Sequence, residues 1–212
     1  MGKISKCILH DISTPLSVIS GSLKLLNKED PSTIQPLLMD SIKYLECILE
    51  DALSIVDGKR NEKNFYPSSS IKKVLSLLDY RVSNSNIEVN TVLDKTLRVK
   101  GCETSFSRIF LNIFLNAVEE LESTDRKKKY IYVDLLSKRK VLILKIQDNG
   151  MGISKNIIAD ISMGKFISNS KNHFGLGLLF VLNSVKRDFN GSIDIKSKEG
   201  EYSEIIVKIP YK

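Results

Sequence analysis

The chain has 212 residues, 42% hydrophobic and 27% charged, an ordinary globular composition that allows one sizeable core or two smaller ones. It holds no apolar run of eighteen residues and no signal peptide, so direct membrane insertion is not expected. A net charge of +7 favours anionic partners such as nucleotides or acidic protein faces, without being a nucleic-acid signature.

From Ile4 the apolar residues Ile4, Ile8, Ile12, Leu16, Ile19, Leu23 and Leu26 follow three-and-four spacing, one stripe on a helix. Pro15 should bend or loosen that helix just past His10. His10 lies off the stripe and should face solvent, with Thr14 one turn on and sharing its face. A histidine beside a carboxylate, His10-Asp11, can act as a nucleophile. Near pH 7 much of the imidazole is neutral, and the acid can orient the ring and take the leaving proton.

Residues 27–32 are a polar connector, and Ser32 or Thr33 can cap a second helix. The second stripe runs Ile34, Leu37, Leu38, Ile42, Leu45, Leu49, Ala52 and Val56, and Asp57-Gly58 ends it. Two such helices cannot bury both stripes on each other alone. A second hairpin from another chain would complete a four-helix bundle, so a homodimer is expected.

Gly58 to Asn64 is charged and turn-rich and reads as a linker, dividing a hairpin domain, 1–62, from a second domain, 63–212. The patterning predicts a helix near 68–80, strands near 86–92 and 96–100, and a helix near 103–122. The dense basic run Arg126-Lys127-Lys128-Lys129 then reads as a solvated loop. Strands follow near 130–137 and 141–147, a helix near 175–188, and strands near 191–197 and 203–209. The fold class is α+β: a helical hairpin, then an α/β sandwich with a mixed sheet. Cys7, Cys47 and Cys102 show no metal spacing or disulfide framework and read as reduced thiols of a cytoplasmic protein.

Four features of the second half carry chemistry. Asn112 and Asn116 are one helical turn apart, and their amide oxygens suit a magnesium ion that takes most other ligands from phosphates and water. Asp148-Asn149-Gly150-Met151-Gly152-Ile153 follows an apolar strand. Its carboxylate can accept a hydrogen bond from an exocyclic amine, and its glycines let backbone approach a flat ring. Gly175-Leu176-Gly177-Leu178 opens a helix and can present backbone N–H groups to phosphate. Between them, Ser154 to Phe174 is polar and weakly patterned and reads as a mobile lid, with Phe166 its one aromatic before Phe174.

In series, these motifs resemble the Bergerat ATP-binding domain of the histidine-kinase, gyrase, chaperone and mismatch-repair ATPases. With His10-Asp11-Ile12-Ser13-Thr14-Pro15-Leu16 upstream, the chain resembles the catalytic core of a two-component sensor histidine kinase. The resemblance implies ATP and Mg2+ as cofactors and a response-regulator receiver domain as partner. It implies that Asn116 binds magnesium with Asn112 as its upstream partner, and that Asp148 binds adenine with Gly150 and Gly152 flanking the base. Phe166 is similar to the lid phenylalanine, Gly175 and Gly177 to the phosphate-loop glycines, and Ser203 to a residue often threonine near the adenine. His10 resembles the phospho-acceptor and Asp11 its acidic neighbour. Thr14 stands where such kinases position water for dephosphorylating the partner.

The chain departs from the pattern in several places. Glu119 stands where a base often contacts phosphate, His173 and Phe174 stand where glycine, serine or threonine is common, and Tyr202 replaces a glycine near Ser203. His173 reads as a lid residue. Asn112 also occupies the position of the glutamate base of the family's hydrolases, which opposes ATP hydrolysis and favours transfer to a side chain. The first helix and the chain length also resemble histidine phosphotransferases of the ChpT type, which relay phosphate without binding nucleotide. The retained nucleotide motifs oppose that alternative.

Overall fold

A computed structural model describes residues 62–162 and 176–211, together with isolated helical positions at Leu16, Ile19, Ser20, Leu38, Ile42 and Leu45. The expectations placed on His10, Asp11, Thr14, Phe166, His173 and Gly175 lie outside the described residues. Contacts divide the chain after Arg60 into two units, the second of which begins at Asn61.

The elements of this second unit, in chain order, are β1 (Glu62–Phe65), α1 (Pro67–Asn84), β2 (Ile87–Leu93), β3 (Val99–Cys102), α2 (Glu103–Glu122), β4 (Lys129–Lys138) and β5 (Val141–Asp148). There follow α3 (Lys155–Ser162), α4 (Leu176–Phe189), β6 (Ser192–Lys198) and β7 (Tyr202–Pro210). Five strands form one sheet in the order β2-β4-β5-β7-β6, and β1 pairs with β3 in a separate ribbon. β2 runs parallel to β4 and the other pairs are antiparallel, so the sheet is mixed.

Strand β5 shows why the sheet has one inner face. Its residues alternate half-buried and buried, putting Leu142, Leu144, Ile146 and Asp148 inside. Ile131, Val133 and Leu135 of β4 and Ser203, Ile205, Val207 and Ile209 of β7 join them. On the outer face Lys145 bridges Asp134 at 2.9 Å and Glu204 at 3.7 Å, a cross-strand charge ladder. Helix α2 is apolar around most of its circumference because it packs on α1, α4 and β5. It buries Phe106, Ile109, Phe110, Ile113, Phe114, Ala117, Val118 and Leu121, and is the centre of the core.

Four expectations are corrected. Glu62–Asn64 is strand rather than linker: β1 exposes Glu62, Lys63 and Asn64 and buries only Phe65, so a polar edge strand reads as a loop. Residues 155–162 of the expected lid are helical, with Ile158 N bonded to Ser154 O. The third concerns Arg126, which is half-buried rather than solvated. It donates from Nη2 to Gly150 O at 3.2 Å and also to Gly200 O. The strand expected at 96–100 begins only at Val99, since Asp94 Oδ1 accepts from Thr96 N at 2.9 Å and Thr96 Oγ1 at 2.7 Å, forming a turn.

Candidate nucleotide site

The inner face of the sheet ends in a carboxylate. Asp148, the last residue of β5, is only 4% exposed. Its register partner on β7 is Ser203, whose hydroxyl donates to Asp148 Oδ2. Gly150 N donates to Asp148 Oδ1 at 2.8 Å. Burial pushes the Asp148 carboxyl above its ordinary range, and the nearby Glu120 charge pushes the same way. The bonds from Ser203 and Gly150 oppose that rise without cancelling it. The result is an oriented acceptor that water reaches poorly, suited to a donor such as an exocyclic amine.

The turn after Asp148 is fixed from several sides. Asn149 is buried; its Oδ1 accepts from Tyr130 N at 2.9 Å and its Nδ2 donates to Lys128 O at 2.9 Å. Gly200 N donates to Met151 O at 2.6 Å, and Ser197 Oγ accepts from Ile153 N at 2.6 Å. Both glycines of the motif are required by the domain's own packing. A Cβ on Gly150 would stand 2.5 Å from Glu120 Cγ. Gly152 has φ +71°, and a Cβ there would stand 2.4 Å from Lys198 O.

Asn112 and Asn116 project from α2 toward the start of α4. A Cβ on Gly177 would lie 3.1 Å from Asn112 Oδ1 and 3.8 Å from Asn116 Oδ1. The two amide oxygens and Gly177 therefore share one space. Asn112 Nδ2 donates to Arg108 O at 2.9 Å, which orients its oxygen. Asn116 Nδ2 is buried without a hydrogen-bond partner, a donor that fits an anionic oxygen. Neutral amide oxygens suit a hard cation, so the donor set fits magnesium, which Asn116 would hold with Asn112 as its upstream neighbour. Glu119 instead points its charge toward α1, with Oε1 3.6 Å from Arg81.

The structure thus brings Asn112, Asn116 and Gly177 together, and Asp148, Gly150, Gly152 and Ser203 together. Sequence reasoning missed Glu120 and Arg126. Glu120 is buried, and its Oε1 accepts from Met151 N at 3.0 Å. The signal was available: Asn112, Asn116 and Glu120 recur every four residues as a polar line on an apolar helix.

Residues 101–212 match the model of the histidine kinase-, DNA gyrase B- and HSP90-like ATPases, and the chain belongs to that family. Over 210 residues it is 22% identical to the sensor protein DegM of Bacillus sp. (strain B21-2), covering 99% of this chain and 54% of DegM. The chain therefore spans about half the length of that curated relative. Among solved structures it is similar to full-length ShkA in complex with AMPPNP, at TM-score 0.62 and 16% identity, covering 99% of this chain and 46% of that one. It is also similar to histidine kinase ThkA in complex with the response regulator protein TrrA, at TM-score 0.58 and 18% identity. That match covers 100% of this chain and 62% of the other. At these identities the structural likenesses speak for the fold alone.

Proposed function

We propose that the chain is the catalytic core of a two-component histidine kinase, with residues 63–212 binding Mg-ATP and residues 1–62 forming a dimerising helical hairpin. The observation that carries the reading is the buried, doubly hydrogen-bonded Asp148 carboxylate at the mouth of the sheet's inner face. Asp148 accepts the adenine amine, with Ser203 holding its second oxygen. Asn116, Asn112, Gly175 and Gly177 serve the phosphate end, and Phe166 belongs to the lid. Magnesium, when bound, offsets charge on the phosphates. The ring nitrogen of His10 forms a bond to the γ-phosphorus as the bond to the ADP oxygen breaks, and Asp11 takes the imidazole proton. The phosphoryl group then passes to an aspartate of a response regulator, and Thr14 positions water for the reverse role of dephosphorylating it.

The names of the relatives support the kinase assignment, and the ThkA–TrrA complex supports a regulator as partner. Leu16 at 50% exposure and Ile42 at 43% are stripe positions that a second chain would cover, which supports the homodimer. None of the described helices is long and apolar enough to cross a membrane. We place the reaction in the cytoplasm, where ATP and reduced cysteines coexist. A relay protein of the ChpT type would have no use for an oriented adenine acceptor, so the geometry supports the kinase over that alternative.

The test is incorporation of label from γ-labelled ATP. Wild type is expected to become labelled with an acid-labile phosphate, and His10→Gln and Asp148→Asn are expected to lose it. Label persisting in His10→Gln would overturn the acceptor assignment.

A further inference from the structure

We propose that Glu120 is a positioning residue of the nucleotide site, locking the peptide unit between Gly150 and Met151 in one orientation. The proposal rests on the nucleotide-binding reading above. That peptide unit carries one acceptor, Gly150 O, and one donor, Met151 N. Met151 N donates to Glu120 Oε1 at 3.0 Å, and Gly150 O accepts from Arg126 Nη2 at 3.2 Å. Two side chains of opposite charge thus grip the two polar ends of a single peptide plane. Glycine on one side gives that plane unusual freedom to turn over, which the grip removes.

The same segment faces the recognition carboxylate, because Gly150 N donates to Asp148 Oδ1 at 2.8 Å. The stem of Glu120 lies over Gly150, where a Cβ would meet its Cγ at 2.5 Å. Glu120, Gly150, Met151 and Asp148 therefore form one mechanically continuous unit from α2 to the site.

Stability alone is a poor reason for a carboxylate here. Glu120 is 9% exposed, and among the described residues no basic side chain pairs with it. A buried carboxylate without a cation is disfavoured, and a second one, Asp148, lies close by. An apolar side chain of the same length would pack here at less electrostatic cost. What it could not do is accept from Met151 N. The acid supplies that acceptor, in the manner of a supporting contact beneath a binding group.

The test compares Glu120→Met, which fills the same space without an acceptor, with Glu120→Gln, which keeps an acceptor oxygen. ADP binding is measured by calorimetry, and exchange of the Met151 amide proton by NMR. Glu120→Met is expected to bind ADP about tenfold more weakly than wild type, and Glu120→Gln within about threefold of it. The Met151 amide should exchange at least about tenfold faster in Glu120→Met and close to the wild-type rate in Glu120→Gln. Unchanged ADP affinity and amide exchange in Glu120→Met, with wild type binding, overturn the positioning role and leave the nucleotide reading standing. Equal impairment in Glu120→Gln also overturns it, because the charge rather than the acceptor would then matter. No ADP binding by wild type overturns the nucleotide reading and this proposal with it. Should Glu120→Met fail to fold, Arg126→Ala releases the other end of the same peptide. It must then weaken ADP binding while Glu120→Gln does not, and any other outcome overturns the lock.

Discussion

Asp148 and Ser203 face each other as register partners across β5 and β7, and the Ser203 hydroxyl donates to the buried Asp148 carboxylate. That bond favours the ionised acid against the pull of burial. Removing it in Ser203→Ala should raise the Asp148 pKa further. Nucleotide binding measured across the acid range should then be lost at a higher pH in Ser203→Ala than in wild type. At pH 7.5 the affinity should fall by roughly tenfold, the worth of one hydrogen bond to a charged group. An unmoved acid limb would mean that the hydroxyl does not tune the acid.

The raised Asp148 pKa also bears on stability. A group raised on folding contributes stability that is fully present below its unfolded pKa and is lost as pH rises through its folded pKa. Above the ordinary carboxylate range, ionising this acid is therefore a liability to the fold. Asp148→Asn can still accept from Gly150 N and can donate to Ser203 Oγ. Its Tm at pH 7.5 should exceed that of wild type, and the gap should close below the ordinary carboxylate range. A lower Tm at neutral pH would contradict the sign.

Gly152 tests the shape of the motif turn rather than its chemistry. Gly152→Ala forces a side chain into a left-handed conformation and against Lys198 O. The combined strain and overpacking should destabilise the domain by about 2–4 kcal/mol, read from urea unfolding. A loss below about 0.5 kcal/mol, the range of an ordinary surface change, would show that the turn readily rearranges.

Magnesium dependence should map onto Asn116. Chelation should weaken ATP-analogue binding by wild type roughly tenfold or more, whereas Asn116→Ala should be weak both with and without the ion. Equal sensitivity to chelation in the two proteins would move the metal elsewhere.

Much of this domain was legible in its sequence because the deciding residues are apolar and periodic. The bounds of α2 follow from Phe106 through Leu121, and the β5 carboxylate follows from the apolar run that ends at it. Ser203 is legible only through resemblance, although its place is a matter of strand register. What escaped is polar. β1 exposes three of its four residues, so no alternation betrays it. In α3, Ile157, Ile158 and Ile161 sit at helical spacing inside a stretch dominated by Ser, Lys and Asn, and the composition hid the period. The roles of Glu120 and Arg126 are not legible because charged residues next to loops are usually solvated, and only the fold shows both turned onto one peptide.

The central claim is that a purine nucleotide sits against Asp148, and calorimetric titration with a non-hydrolysable ATP analogue and Mg2+ tests it most directly. Wild type should bind saturably with one site per chain, and Asp148→Asn should show no measurable heat while remaining folded. Absence of binding in wild type, or equal binding in Asp148→Asn, would contradict the account.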